Sequence, residues 1–265
     1  MEAAFFDLDK TVINKASIAA FRRPFYRGGL ISKTTVMRVL VSHLLYHYMG
    51  ADERRMAKMR ESVLRLTKGW DEEEVRRIVR DALDVTVEPI IYAEALDLID
   101  HHHDQGRKVY LVSASPEEIV EPLAEYLGAE GAIASRAVID LEGRYTGEMA
   151  FYAYGPYKAQ AMIETAERDG IDLSLSFAYS DSSTDIPMLE VVGNPVVVNP
   201  DRALAKVAKD RGWEVRQFTR PIRLRDRVPV PSFPTAATVT CATVAATGAA
   251  VIARRHWHRP LPAGR

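Results

Sequence analysis

A chain of 265 residues with 47% hydrophobic and 27% charged content holds enough apolar material for one large domain, or for a core domain carrying an insertion, and it reads as globular. Basic residues number 35 and acidic residues 36, so the formal net charge of −1 gives no overall pull toward nucleic acid, and no nucleic-acid partner is expected. The single cysteine, Cys241, excludes an intrachain disulfide framework, and no basic segment followed by an apolar run opens the chain; a cytoplasmic, reducing setting is expected.

In chain order, Ala3-Ala4-Phe5-Phe6 is an apolar run ending at a polar cluster, the pattern of a buried parallel strand and its C-terminal loop. FFDLDKTV, residues 5–12, places Asp7 and Asp9 two positions apart in that loop, and by itself it could be no more than a strand running into a turn. About 90 residues of helical periodicity follow before the next strand, too many for a simple crossover, and they predict an inserted helical cap. Within it, 36–48 carries apolar residues at helical spacing and 53–66 is basic and amphipathic. Asp71 with Glu72-Glu73-Glu74 marks a helix start whose acidic run reads as a solvated first turn. His43 and His47 share a helical face but lack a carboxylate to complete a zinc site, which points to packing or substrate contact. His101-His102-His103 is contiguous, so its side chains diverge around the helix, and the run reads as a solvated helix end.

A second strand runs from Lys108 to Val112 and ends at Ser113. Ser115-Pro116-Glu117-Glu118 has the sequence of a helix start, with a capping serine, proline first and glutamate third, its positive end available to an anion. The amphipathic segment 119–127 closes on Gly128, and 158–168 stops before Gly170. Alternation over 132–149 around Leu141-Glu142-Gly143-Arg144 predicts a β-hairpin beside the core sheet. Phe177-Ala178-Tyr179 ends at Ser180-Asp181, and Val196-Val197-Val198 ends at Asn199-Pro200. Strands alternating with helices imply a mostly parallel sheet covered on both faces. RPIRLRDRVPVPSFP, residues 220–234, reads as an extended linker, and 235–253 is an uncharged tail rich in Ala, Thr and Val that runs into Arg254-Arg255-His256-Trp257-His258-Arg259. Membrane contact through 235–259 and a disordered or partner-docked tail stand as alternatives. Trp70, Trp213 and Trp257 are expected to pack or lie at an interface.

Residues beyond the carboxyl ends of separate strands converge in an open α/β sheet. Here they are Asp7, Asp9 and Thr11, then Ser113 and Ser115, then Lys158 at a helix start, then Asp181 and Asp185. Hydrolysis of a phosphate ester needs a nucleophile, neutralisation of the non-bridging oxygens and a proton for the departing alkoxide. Positions i and i+2 of an extended chain point to the same side, so Asp7 and Asp9 can face one reaction centre. Asp7 and Asp181 are hard oxygen donors suited to Mg²⁺, and Ser113 and Lys158 suit phosphate oxygens.

DLDKT, VSASPEE, GPYK and SDSSTD, in that order and with a helical insertion after the first, resemble the haloacid dehalogenase (HAD) superfamily, and within it the phosphoserine-phosphatase-like hydrolases of subfamily IB. One such motif is weak; four in order at strand ends are specific. The resemblance covers about residues 3–215 and leaves the tail outside. It implies an α/β fold: a HAD-type Rossmann-like parallel sheet in a core of 1–14 and 91–219, an inserted helical (C1-type) cap at 15–90, and a linker with an Ala/Thr-rich tail at 220–265. Asp9-Lys10-Thr11 also resembles the DKTG signature of P-type ATPases, but Val12 replaces the glycine and the chain is far too short. The phosphatase register implies Asp7 as nucleophile and Asp9 as acid and base. It further implies Asp7, Asp9 through its backbone carbonyl, and Asp181 as Mg²⁺ ligands; Ser113, Ala114 and Lys158 on the phosphate; and Thr11, Ser115, Thr184 and Asp185 in support. Thr184 stands where relatives with a GDGxND motif have asparagine, and Asp185 is expected to bind the metal through water or to orient Lys158.

The expected activity is therefore that of a Mg²⁺-dependent phosphomonoesterase working through an aspartyl phosphate on a small phosphorylated metabolite or lipid head group. One alternative is a phosphoserine phosphatase of serine biosynthesis. It is weakened because Ala16 occupies the position where that branch carries a glutamate for the substrate amino group. Another, of a different class, is a regulatory phosphate-binding protein, against which the retained acid at Asp9 argues, since binding alone needs no acid. Arg22, Arg23, Arg27 and Lys33 suggest an acidic or larger phosphorylated substrate, with a solvated cap surface as the plainer reading. No oligomeric state follows from the sequence.

Overall fold

The structure, a computed structural model, describes residues 1–31 and 53–220. The chain divides into two compact units, Met1–Leu224 and Arg225–Arg265, and every element described belongs to the first. The expected helix at 36–48, His43, His47, Lys33, Cys241, Trp257 and the linker and tail beyond Arg220 lie outside the described residues.

Seven strands form one sheet: β1 Ala3–Asp7, β2 Lys108–Pro116, β3 Gly131–Ile139, β4 Tyr145–Phe151, β5 Phe177–Ser180, β6 Asn194–Val198 and β7 Glu214–Arg216, in the spatial order β4-β3-β2-β1-β5-β6-β7. All neighbours are parallel except β3 and β4. All five residues of central β1 are buried, and its side chains alternate between two cores, as a period of two requires. Ala4 and Phe6 pack with Ile99, Ile119, Leu123 and Val198 on one face; Ala3 and Phe5 pack with Met162, Met188, Leu189 and Leu204 on the other. The first face is covered by α5 Ala93–Asp104 and α6 Glu117–Tyr126, and the second by α7 Pro156–Asp169, α8 Ile186–Glu190 and α9 Arg202–Arg211.

Between β1 and β2 the chain forms α1 Ser17–Ala20, α2 Arg22–Arg27, α3 Glu53–Thr67 and α4 Glu72–Thr86 before reaching α5. The segments entering and leaving this insertion are joined: Asn14 N–H donates to Ile90 O at 2.8 Å and Tyr92 N–H to Val12 O at 2.9 Å. Helix α4 starts where Asp71 caps it, its carboxylate accepting from Glu74 N–H at 2.9 Å. Val75, Ile78, Val79 and Leu83 form its buried stripe. The acidic first turn is engaged by arginines of the next turns, Glu72 with Arg76 at 2.8 Å and Glu73 with Arg80 at 2.7 Å. Arg76 also reaches Glu121 of α6 at 2.7 Å, so the insertion is tied to a helix that flanks the sheet. Among the described residues no helix is long and apolar enough to cross a membrane.

Three expectations need correction. The 132–149 hairpin does not lie beside the sheet: β3 pairs in parallel with β2, so the hairpin is the sheet's own edge and β4 its single antiparallel strand. Ser115 does not cap α6. Strand β2 runs on to Pro116, which takes the cap position without a side-chain bond, and the Ser115 hydroxyl is engaged elsewhere.

The third is the histidine run, which is not uniformly solvated. His101 is exposed, but His102 follows Leu98 and Ile99 on the helix face turned to the sheet and is 1% exposed. Its Nε2 lies 2.8 Å from Tyr179 Oη, and the ring packs on Phe6 and Phe177. Burial, assisted by Arg107, pulls its pKa down to about 4. The folded protein therefore keeps this imidazole neutral while the unfolded chain takes up a proton near its ordinary value of about 6.5. Stability from this group is complete above about pH 6.5 and is lost as pH falls toward about 4, on the order of 3 kcal/mol in all. Urea unfolding at pH 7 and at pH 4.5 checks this: His102→Gln should flatten that part of the pH dependence, and an unchanged slope would assign it to other groups.

Candidate active site

Asp7 is the last residue of β1 and Asp181 follows the last residue of neighbouring β5, so two carboxylates arise side by side where the connections diverge from the sheet centre. Both are buried, at 5% and 8% exposure. Lys158, in the first turn of α7, is also buried, and its Nζ donates to Asp7 Oδ1 at 2.6 Å and to Asp185 Oδ2 at 2.7 Å. Gly155 makes this placement feasible: at φ 56° and ψ −127° it adopts a backbone that favours glycine, and Pro156 then opens the helix. Asp185 Oδ2 accepts a further bond from Ser180 Oγ at 2.8 Å, while its Oδ1 is buried without a hydrogen-bond partner.

Lys10 has φ 66°, so the chain turns sharply after half-buried Asp9, and the Val12 and Ile13 N–H groups both donate to Leu8 O at 3.0 Å. The turn returns Ser17, at the start of α1, to donate its N–H to Asp9 Oδ1 at 2.8 Å. Thr11 is fully buried in this loop, and its hydroxyl has no hydrogen-bond partner. On the other side Asp7 pairs with Val112 in the sheet, so Ser113 stands one residue beyond Asp7's neighbour. The β2–β3 ladder is irregular between Val112 and Pro116, which frees Ser113-Ala114-Ser115 from regular pairing. Ser113 Oγ accepts from Ser115 N–H at 3.1 Å, and Ala114 O accepts from Ser135 Oγ at 2.8 Å.

Asp7, Lys158 and Asp185 are thus in contact, with Asp181 and Ser113 on adjoining strand ends. Thr184 is set apart: it is exposed, and its hydroxyl bonds Ser182 Oγ at 3.0 Å. Four participants are assigned no role from the sequence. Ser17 and Ser135 are lone serines outside the motifs, and Ser180 opens SDSSTD but is given no role there. Asp201 holds the Asp181 loop by accepting from Ser183 N–H at 2.8 Å while its own N–H donates to Asp181 O at 2.9 Å.

Burial pushes the Asp7 carboxyl well above the ordinary carboxylate value; Lys158 draws it back, and Asp185 and Asp181 push it up again. Asp181 is raised to about 7 by burial, with Lys10 opposing and Asp185 adding to the rise. Asp9 is raised by burial against the bonds from Ser17. Lys158 behaves in the opposite sense: burial alone would lower it, but Asp7 and Asp185 hold it firmly protonated. One lysine therefore faces three buried carboxyl groups, one of which keeps an unpaired oxygen. A divalent cation fits that shortage of positive charge. Among the described residues no three carboxylate, imidazole or thiol side chains converge to hold a metal by themselves. A cation satisfied by two carboxylates, a backbone carbonyl and water or substrate oxygens agrees with the donors present.

The mostly parallel sheet with carboxylates at its strand ends is the α/β architecture of HAD-type proteins. A model of the haloacid dehalogenase-like hydrolase family matches residues 4–190, and the chain belongs to that family. It is 48% identical over 248 residues to the "Inhibition of morphological differentiation protein" of Streptomyces azureus, covering 94% of this chain and 89% of that one. It is also 48% identical over 250 residues to a protein of Mycobacterium tuberculosis named as a probable phosphatase, covering 94% and 87%. A phosphoserine phosphatase of the same organism is 32% identical over 87% of this chain and 75% of its own length. Among solved structures, a protein of unknown function from Bordetella pertussis superposes with a TM-score of 0.70 at 25% identity, over 81% of this chain and 97% of that one.

Proposed function

We propose that this hydrolase is a Mg²⁺-dependent phosphomonoesterase that acts through an aspartyl phosphate on Asp7, with a small phosphorylated metabolite or a lipid head group as substrate. The observation that carries the reading is the buried Lys158 bridge between Asp7 and Asp185, which draws the nucleophile's raised carboxyl back toward its charged form at the sheet's switch point. Asp7 attacks phosphorus as the bond to the leaving oxygen breaks, and protonated Asp9 gives its proton to that oxygen. Asp9 then takes a proton from water, which attacks the phosphorus and releases inorganic phosphate with Asp7 free again. Burial supports the first half of this cycle, because a raised Asp9 carboxyl holds a proton closer to neutral pH than an exposed one does. Ser113, Ala114 and Lys158 would take the non-bridging oxygens. Asp7, Asp181 and the Asp9 carbonyl would hold Mg²⁺, which when bound neutralises charge on the transferred phosphoryl group.

The insertion at 15–90 would act as the cap that selects the substrate. Kinship with a phosphoserine phosphatase favours serine phosphate as a second reading. Against it, Ala16, which caps α1 without a side-chain bond, offers no carboxylate to an amino group. A panel of phosphate esters including phosphoserine, lipid phosphates and sugar phosphates, run with and without chelator, tests both. Chelation should reduce turnover by about 10²-fold or more and added Mg²⁺ should restore it. A rate indifferent to chelator, or no turnover of any ester, would contradict the proposal.

A further inference from the structure

The hydrogen bonds around Asp9 continue beyond the groups assigned above. Ser17 and Ser115 are 98 residues apart in sequence, yet their hydroxyl oxygens are 2.6 Å apart, with 0% and 3% exposure. The pair joins the first helix of the insertion to the irregular end of β2. Ser17 N–H donates to Asp9 Oδ1, and Ser115 N–H donates to Ser113 Oγ, so one continuous chain of bonds runs from the Asp9 carboxyl to the turn expected to hold phosphate. Helix α1 has four residues, too few to hold its own position by internal hydrogen bonds. Packing alone would be served by two methyl groups at lower desolvation cost than two buried hydroxyls. An N–H can only donate, and the carbonyl oxygen of a protonated carboxyl is the better acceptor, so the bond to Oδ1 favours the Asp9 proton on Oδ2.

We infer that the Ser17–Ser115 hydroxyl pair is a positioning device for the proton donor, fixing the Asp9 carboxyl against the phosphate-binding turn so that its Oδ2 proton is presented to the leaving oxygen. The inference rests on the reading of Asp9 as the acid. Its signature is a dependence on the leaving group. A nitrophenolate departs without a proton, whereas an alkoxide needs one, so mispositioning the acid slows alkyl esters selectively.

The test compares kcat/KM, which reports phosphoryl transfer to Asp7 and not the hydrolysis step common to both esters, for p-nitrophenyl phosphate and glycerol 2-phosphate in wild type, Ser17→Ala, Ser115→Ala, the double variant and Asp9→Asn. Each serine variant should lose about tenfold on the alkyl ester and less than about threefold on the aryl ester, and the double variant should lose no more than either single one. Asp9→Asn should show the same skew more strongly. Equal losses on both esters in the serine variants, or no loss, with a skewed Asp9→Asn would overturn the inference alone. An unskewed Asp9→Asn would overturn the reading of Asp9 and the inference with it. Should Ser17→Ala fail to fold, Ser115→Ala leaves the Ser17 backbone bond in place and reads the same tie from its other end.

Discussion

An Asp7→Asn enzyme is expected to lose about 10⁴-fold or more in kcat on every ester the wild type accepts, with leaving-group identity making no difference. The amide keeps the volume of the side chain at the end of β1 and can still meet Lys158, so the fold should survive. What disappears is the anionic oxygen that forms the bond to phosphorus. Because Asp7 forms the bond to phosphorus whether or not the leaving oxygen needs a proton from Asp9, no choice of leaving group can rescue it, and this distinguishes the two aspartates of one five-residue motif. Circular dichroism and the urea midpoint, measured beside the rate, separate lost chemistry from lost structure. A variant that folds normally and retains more than about a tenth of wild-type kcat would remove Asp7 from the role of nucleophile.

The second large effect concerns Lys158→Met, where stability and activity should fall together. Lys158 is the shared partner of Asp7 and Asp185, and all three are nearly inaccessible. Removing one member of a buried ion cluster leaves uncompensated charge, at a cost of about 3–5 kcal/mol. The sign of the pH dependence follows. Burial already raises the Asp7 carboxyl above its unfolded value, and loss of the lysine that draws it back raises it further. Such a group contributes stability that is complete at low pH and lost as pH rises through the raised value. The variant should therefore be closest to wild type near pH 5 and furthest from it near pH 8, and added Mg²⁺ should narrow the gap. A variant penalised equally at both pH values would mean that lost packing of the lysine stem, not stranded charge, dominates.

Much of the core was legible in the sequence because its strands are buried on both faces. Such strands read as continuous apolar runs, and the polar residue that ends each run marks the end of the sheet where Asp7, Ser113 and Asp181 emerge. The helices were legible for a different reason: Asp71 and Gly170 are local signals, satisfied by backbone bonds within a turn or two. Long-range partners leave no such trace. Nothing near Ser17 in sequence announces Ser115, and nothing in three consecutive histidines says that the middle one would lie on the inward face of α5 against Tyr179. Ser115 has every local mark of a helix cap. Its hydroxyl is instead claimed by a residue from the insertion, a tertiary override of local preference. Strand β7 spans three residues, half-buried or exposed, too short to show any periodicity.

The most direct measurement uses the Asp9→Asn enzyme with p-nitrophenyl phosphate and Mg²⁺. The good leaving group allows the first step without an acid, while the missing base slows attack by water, so the covalent species should accumulate. Acid quenching, proteolysis and mass spectrometry of the peptide holding residues 5–12 should then find one phosphoryl group on Asp7, appearing as a burst of nitrophenolate of about one equivalent per chain. A phosphoryl group on any other residue, or continued turnover with none trapped on Asp7, would contradict the account.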